Sequence, residues 1–186
     1  MVTSGAAHLG WTVTVARDSN GCGSDGTGVD LDGASGHTTI HLREAVETHD
    51  CREIRLRTRC ASGQPFEGRW RGVPLGQLLV EGGVSDGTTH VLIEGGDGFR
   101  ACVAIRDALE GVLAIEQIGG REARVPATDA GLPRVVVPGI PGTRSVKRVV
   151  RLEAKRLGQG DDPAELERLE GTPRRSNASA SPDSGI

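Results

Sequence analysis

Three consecutive valines, Val135, Val136 and Val137, stand between two turns rich in glycine and proline. Valine has strong β propensity, and a short continuous apolar run bounded by turn signals reads as a strand buried on both faces. Pro138 has no N–H to give to a sheet ladder, so the strand stops there. A turn carrying Gly139, Pro141 and Gly142 follows, and a second strand is predicted over residues 144–152. Arg134 stands where the first strand begins; Arg144, Ser145 and Lys147 stand where the second begins. Two turns and a buried strand therefore gather cations and backbone N–H groups at one edge, which suits a bound anion such as a phosphate. The same residues also read as a hairpin whose basic side chains are simply solvated.

A core built around such a strand has few aromatic residues to use. The 186 residues include two Trp, two Phe, no Tyr and one Met, so Val, Leu, Ile and Ala must fill it. The 28 glycines favour a loop-rich, strand-rich domain over a helical bundle. At 22 basic and 25 acidic residues the net charge is −3, which points to neither a nucleic-acid nor a membrane partner. No apolar run reaches the ~18 residues of a membrane span. The first residues lack the basic and apolar regions of a secretory signal, so a cytoplasmic location is expected. The cysteines, Cys22, Cys51, Cys60 and Cys102, are then expected as free thiols.

Along the chain, residues 11–15 alternate apolar and polar and read as a half-buried strand. Residues 17–37 read as a long polar loop. Within it Gly21-Cys22-Gly23-Ser24-Asp25-Gly26 matches a dinucleotide fingerprint formally, but no helix opens after it, so that reading is set aside. Thr38 or Thr39 is predicted to cap a short helix ending near His49. Residues 53–59 alternate as a strand that delivers Cys60 at its end, and residues 61–70 read as a loop. Pro74 suits the first position of a helix that Gly82 and Gly83 stop. Residues 90–93 and 99–105 read as strands joined by a turn in which Asp97-Gly98 is a hairpin signal. Residues 112–118 form another strand. The strands outnumber the helices without regular alternation, which predicts a β-rich α+β domain with mixed sheets and a few short helices. Its limits are expected at residues 11–157, after a short extension (1–10) and before a polar, disordered tail (158–186) in which residues 163–169 hold at most a short helix.

Cys60 is the leading candidate for chemistry. It follows a strand, and Arg57 and Arg59 lie close in sequence, where cations lower a thiol pKa. It reads equally as a buried structural cysteine, or as a nucleophile served by one of the histidines. His37 and His41 hold half of a zinc-finger spacing, but no paired cysteines accompany them.

The run VVVPGIPGTRSVKRVVRLE resembles the C-terminal signature of the sulfite oxidase family of molybdopterin enzymes. Cys60, WRGVPLGQLL (residues 70–79), EGGD (94–97) and GLPR (131–134) follow that family's order. The resemblance spans residues 11–153. It implies a sulfite-oxidase-like molybdopterin-binding fold with a molybdenum–molybdopterin cofactor. It implies an oxidoreductase that moves an oxygen atom to or from a small anionic or sulfoxide substrate, with a separate electron-transfer partner. Cys60 would be the protein ligand to molybdenum, a soft thiolate suited to such a metal. Asp97, Arg134, Ser145, Val146 and Lys147 would bind the cofactor, and Arg144, with Arg59, would attract the substrate. The chain departs from the pattern at Ala130, where many members carry a histidine, and at Gln64 and Pro65, where arginines often stand. Two other readings remain beside the enzyme: a module that holds the cofactor or another anion without turnover, and a redox-sensing thiol protein.

Overall fold

Short apolar runs broken by glycine leave room for strands and little room for helices. The computed structural model follows that rule and describes residues 28–33, 36–59, 65–119, 124–125 and 131–169. Strands β1 (Gly28–Gly33) and β2 (Gly36–His41) come first, then helix α1 (Leu42–Thr48). Next are β3 (Arg52–Arg59), β4 (Pro65–Pro74) and helix α2 (Leu75–Glu81). The strands β5 (His90–Gly95) and β6 (Arg100–Ala104) lead to α3 (Ile105–Ala108), β7 (Val112–Ile118), β8 (Arg124–Val125), β9 (Arg134–Val136) and β10 (Val149–Lys155). The domain is the β-rich α+β, mixed-sheet type expected from the sequence.

Two sheets share the strands. One has the order β2-β1-β10-β5-β6, with β1 parallel to β10 and the other pairs antiparallel. The other has the order β3-β4-β7-β8, with β9 also paired to β7. Val73, Leu113 and Val135 of the second sheet, with Val137 just after β9, join Val29, Leu31, Ile93 and Leu152 of the first in the larger core, closed by Leu75, Leu78 and Leu79 of α2. Ile54, Leu56, Trp70, Val112, Ala114 and Val136 form a smaller core with the alternate residues of the second sheet. Val135 and Val136 are therefore buried on opposite faces, as a continuous apolar strand requires.

Several local readings change. Residues 28–33 are a strand, not part of a loop. Val29 and Leu31 point inward, and the two aspartates facing outward find partners across the sheet: Thr39 donates to Asp30, while His37 and Arg151 bind Asp32. Residues 65–70 also belong to a strand, whose Glu67 lies opposite Arg57 and pairs with it at 3.0 Å. Thr38 and Thr39 lie within β2, and α1 begins only at Leu42 with no side-chain cap. Gly82 ends α2 as expected, its N–H bonding to Leu78 O at 2.9 Å. The predicted strand over residues 144–152 starts late: residues 142–144 form a 3-10 turn, and β10 begins at Val149. The expected partnership changes too, because β9 joins one sheet and β10 the other.

Residues 158–169 fall in the stretch read as tail, yet they pack as a strap along β6. Arg168 and Arg100 exchange two backbone hydrogen bonds at 2.9 Å, and Leu169 packs on the larger core. The strand expected at residues 11–15, the glycine-rich fingerprint, Cys22, Cys60, Ala130 and residues 170–186 lie outside the described residues. Among the described residues no helix is long and apolar enough to cross a membrane.

Candidate functional site

The candidate site lies where the chain leaves one sheet and enters the other. After β9 the backbone turns and doubles back along the start of that strand. Val135 N–H bonds to Val146 O at 3.0 Å, Val149 N–H to Pro133 O at 2.9 Å and Arg148 N–H to Gly131 O at 2.8 Å. These bonds fasten residues 145–149 across the seam. Arg148 makes the turn into β10 with φ +46°, a left-handed backbone that bulky residues rarely adopt and that often marks a functional segment.

Arg134 is the most unusual residue of the seam. It is buried, at 9% exposure, and its Nε donates to Ser145 Oγ at 2.9 Å. Ser145 passes the bond on, donating to Val135 O at 3.0 Å. The guanidinium lies over the ring of buried Trp70, 5.6 Å from its centroid, a cation–π contact. Burial pulls the Arg134 pKa below the usual guanidinium value. Its partners among the described residues are thus a hydroxyl and a ring, and none is a carboxylate.

Lys147 lies further along the same segment. Its head is exposed and its stem crosses Gly131, where a Cβ would come 3.0 Å from the lysine carbons. Gly131 also has φ +64°, so two constraints favour glycine there. The β5–β6 turn closes on this segment through a 2.9 Å bond from Gly96 N–H to Arg148 O. Asp97 in that turn accepts from Phe99 N–H at 3.1 Å and pairs with Arg148 at 3.3 Å. Val146 sends its side chain into the larger core and gives its carbonyl to Val135, so its part here is structural.

Arg144 faces elsewhere. Its Nε lies 2.9 Å from Glu167 Oε1 and its terminal nitrogen donates to Oε2 at 3.2 Å, a two-pronged pair with a carboxylate only 6% exposed. Glu167 Oε1 also accepts Cys102 N–H at 3.1 Å. A cleft of about 200 Å³ beside this pair is lined by His90, Cys102, Asp107, Arg144 and Asp162. Burial above all, reinforced by the Glu167 charge, pushes the Cys102 thiol up to about 11.

Arg59 has an exposed side chain, and its backbone marks the other approach to the seam. A Cβ on Gly142 would meet the Arg59 carbonyl oxygen at 2.5 Å, so only glycine lets the 3-10 turn rest on the end of β3. The structure therefore brings Asp97, Arg134, Ser145, Val146 and Lys147 into one seam. It sets the end of β3 beside that seam and turns Arg144 toward the strap. Trp70 and Glu167 were not singled out from sequence. The buried, alternating position of Trp70 was a legible signal, whereas Glu167 carried none.

Residues 35–159 match the family described as oxidoreductase molybdopterin binding domain, and the chain belongs to that family. Among solved structures it is similar to the sulfane dehydrogenase SoxCD from Paracoccus pantotrophus. The TM-score is 0.63, with 19% identity, over 76% of this chain and 41% of that one. This likeness is one of fold, and the chain spans less than half the length of that protein. No curated protein matches it in sequence. The cofactor of this family is a molybdopterin. The seam fits it: a buried guanidinium with no described carboxylate and a lysine likewise unpaired suit an anionic group. Among the described residues no cluster of His, Cys, Asp and Glu could hold a metal ion by itself.

Proposed function

We propose that this domain is a molybdopterin-dependent oxidoreductase of the sulfite oxidase type, acting on a small anionic or sulfoxide substrate. The observation that carries the reading is Arg134, a buried cation that the described protein leaves without an anion. A buried charge is costly unless paired, and the lack of an acid beside Arg134 among the described residues supports a negative partner from outside the chain. Arg134 would fork toward the phosphate of the cofactor, held in place by Ser145 and Trp70. Lys147 would add a point charge from the open side, and Asp97 would accept pterin N–H donors.

Cys60 would supply a thiolate to molybdenum; its neighbour Arg59 ends β3 against Gly142, beside the seam. When bound, the cofactor supplies a redox-active metal able to exchange an oxygen atom with a substrate. Electrons would then pass to a separate acceptor protein, and a cytoplasmic location remains part of this reading. A redox-sensing thiol role draws no support from Cys102, whose pKa of about 11 leaves little thiolate at neutral pH.

One observation favours a second reading, a cofactor-holding module without turnover. Arg144, the residue expected to attract an anionic substrate, is already paired with Glu167. The two readings separate on one preparation from a cofactor-competent host. Molybdenum content is measured for wild type, Cys60→Ser and Cys51→Ser, with turnover assayed on an artificial electron acceptor. Metal lost only in Cys60→Ser, with turnover in the wild type, supports the enzyme. Metal without turnover on any oxyanion or sulfoxide tried supports the module, and no molybdenum at all overturns both.

A further inference from the structure

The match to the family ends at residue 159, and the strap that follows contains Glu167. That carboxylate is buried, grips Arg144 with both oxygens and takes the backbone N–H of Cys102 on β6. It thus ties three parts of the chain together: the strap, the edge of one sheet and the 3-10 turn that leads into the seam. Arg144 precedes Ser145, and Ser145 is the hydrogen-bond partner of Arg134. The far side of the same segment is already fastened by backbone bonds at Val146, Arg148 and Val149. Among the described residues, the near side, from Gly142 to Arg144, is held by the bonds of its own turn, its packing against β3 and β6 and the grip of Glu167.

We propose that Glu167 is a positioning residue for the cofactor: through Arg144 it fixes where the Ser145–Lys147 segment begins. The proposal rests on the reading of the seam as the cofactor site. It extends the functional unit beyond residue 157, the limit expected from sequence, and it assigns Arg144 to anchoring instead of substrate capture. A fully charged, two-pronged pair that is mostly buried holds direction as well as distance, because the guanidinium fork matches a carboxylate in one plane. Losing it frees the turn to shift, and small displacements of an oriented hydrogen-bond donor weaken the bond steeply.

The test is the rate at which the cofactor leaves the purified protein, followed by the fluorescence of released, oxidised pterin well below the melting temperature. Four proteins are compared with wild type: Glu167→Gln, Arg144→Met, the two changes together, and Arg134→Met. The expected result is a rise of roughly tenfold for each of the first two, equivalent to about 1.4 kcal/mol. The double variant should be no faster than either single change, because Glu167 acts through Arg144. Additive effects, or unchanged rates in Glu167→Gln, would overturn the proposal. Should a single variant fail to fold, the double variant, with neither charge left alone, must still release the cofactor faster; a wild-type rate there overturns the proposal. Faster release from Arg134→Met, or little cofactor left in it to release, without faster release from the Glu167 variants removes only the role of Glu167. A wild-type rate in Arg134→Met overturns the reading of the seam beneath it.

Discussion

Arg134 and Arg144 stand on either side of one turn, and the fold treats them in opposite ways. Arg144 meets a buried carboxylate that grips it with two oxygens and keeps part of its surface in water, at 37% exposure. Arg134 is buried, donates to a serine hydroxyl, covers a tryptophan ring and has no described acid beside it. A paired cation of the first kind is a fastening. A buried cation of the second kind, without a described acid, destabilises the fold, and a bound anion would relieve that. Both residues are arginines next to a turn, so residue type does not separate the paired cation from the one without a described acid; the environment does.

The largest effect is expected at Arg144. Arg144→Met would leave the buried Glu167 with no cation and only the Cys102 N–H as partner, and stability should fall by roughly 3 kcal/mol, the low end for such a loss because the pair is partly wet. Urea unfolding measures this; a change under ~0.5 kcal/mol, the usual range for surface substitutions, would show that the strap does not hold Arg144.

The seated strap also predicts a dependence on alkaline pH. Cys102 is raised from the ordinary thiol value of 9.0 to about 11, by burial first and by Glu167 second. The unfolded chain therefore loses this proton near pH 9 while the folded chain keeps it. Stability from this group is complete below pH 9 and declines as pH rises toward 11, by at most about 2.7 kcal/mol. Cys102→Ala should unfold with a flatter alkaline profile than wild type in urea at pH 8 and pH 10.5. Superimposable profiles would mean that the thiol is not held under the strap.

The smallest effect belongs to Asp97. Its pair with Arg148 is exposed on both sides, so Asp97→Asn should cost under ~1 kcal/mol of stability. If it binds pterin N–H groups, cofactor release should quicken severalfold with that stability almost intact. Release at the wild-type rate would confine Asp97 to its turn and leave Arg134 and Lys147 as the polar anchors.

What could be read from sequence was what depends on near neighbours. The Val135–Val137 run announced a buried strand, the alternation of Ile54 and Leu56 announced β3, and Asp97-Gly98 announced the β5–β6 hairpin. Pro74, Gly82 and Gly83 bounded α2 to within a residue. The misreadings came from partners far along the chain. Asp30 and Asp32 look unsuited to a strand until His37, Thr39 and Arg151 answer them across the sheet. Arg148 breaks a run of good strand residues by a backbone twist that the sequence pattern does not show.

The site divides along the same line. The family motif gathered Asp97, Arg134, Ser145 and Lys147, and the fold brings them to one seam. Their separate tasks needed coordinates. Nothing local says that Arg144 turns toward a glutamate in a polar stretch, or that Trp70 lies beneath Arg134. Glu167 is one acid among several in its stretch and differs only in being buried.

Arg134 has no acid partner among the described residues, and the cofactor is proposed to pair with it. The most direct test is the molybdopterin bound per folded chain of Arg134→Met, purified beside the wild type from the same cofactor-competent host. Removing a buried charge that has no described acid partner should leave the chain folded and at least as stable. Removing charge-assisted bonds worth roughly 1.5–3 kcal/mol each should strip most of the cofactor from it. A folded Arg134→Met protein with little or no molybdopterin is the predicted result; one that carries as much as the wild type would contradict the account.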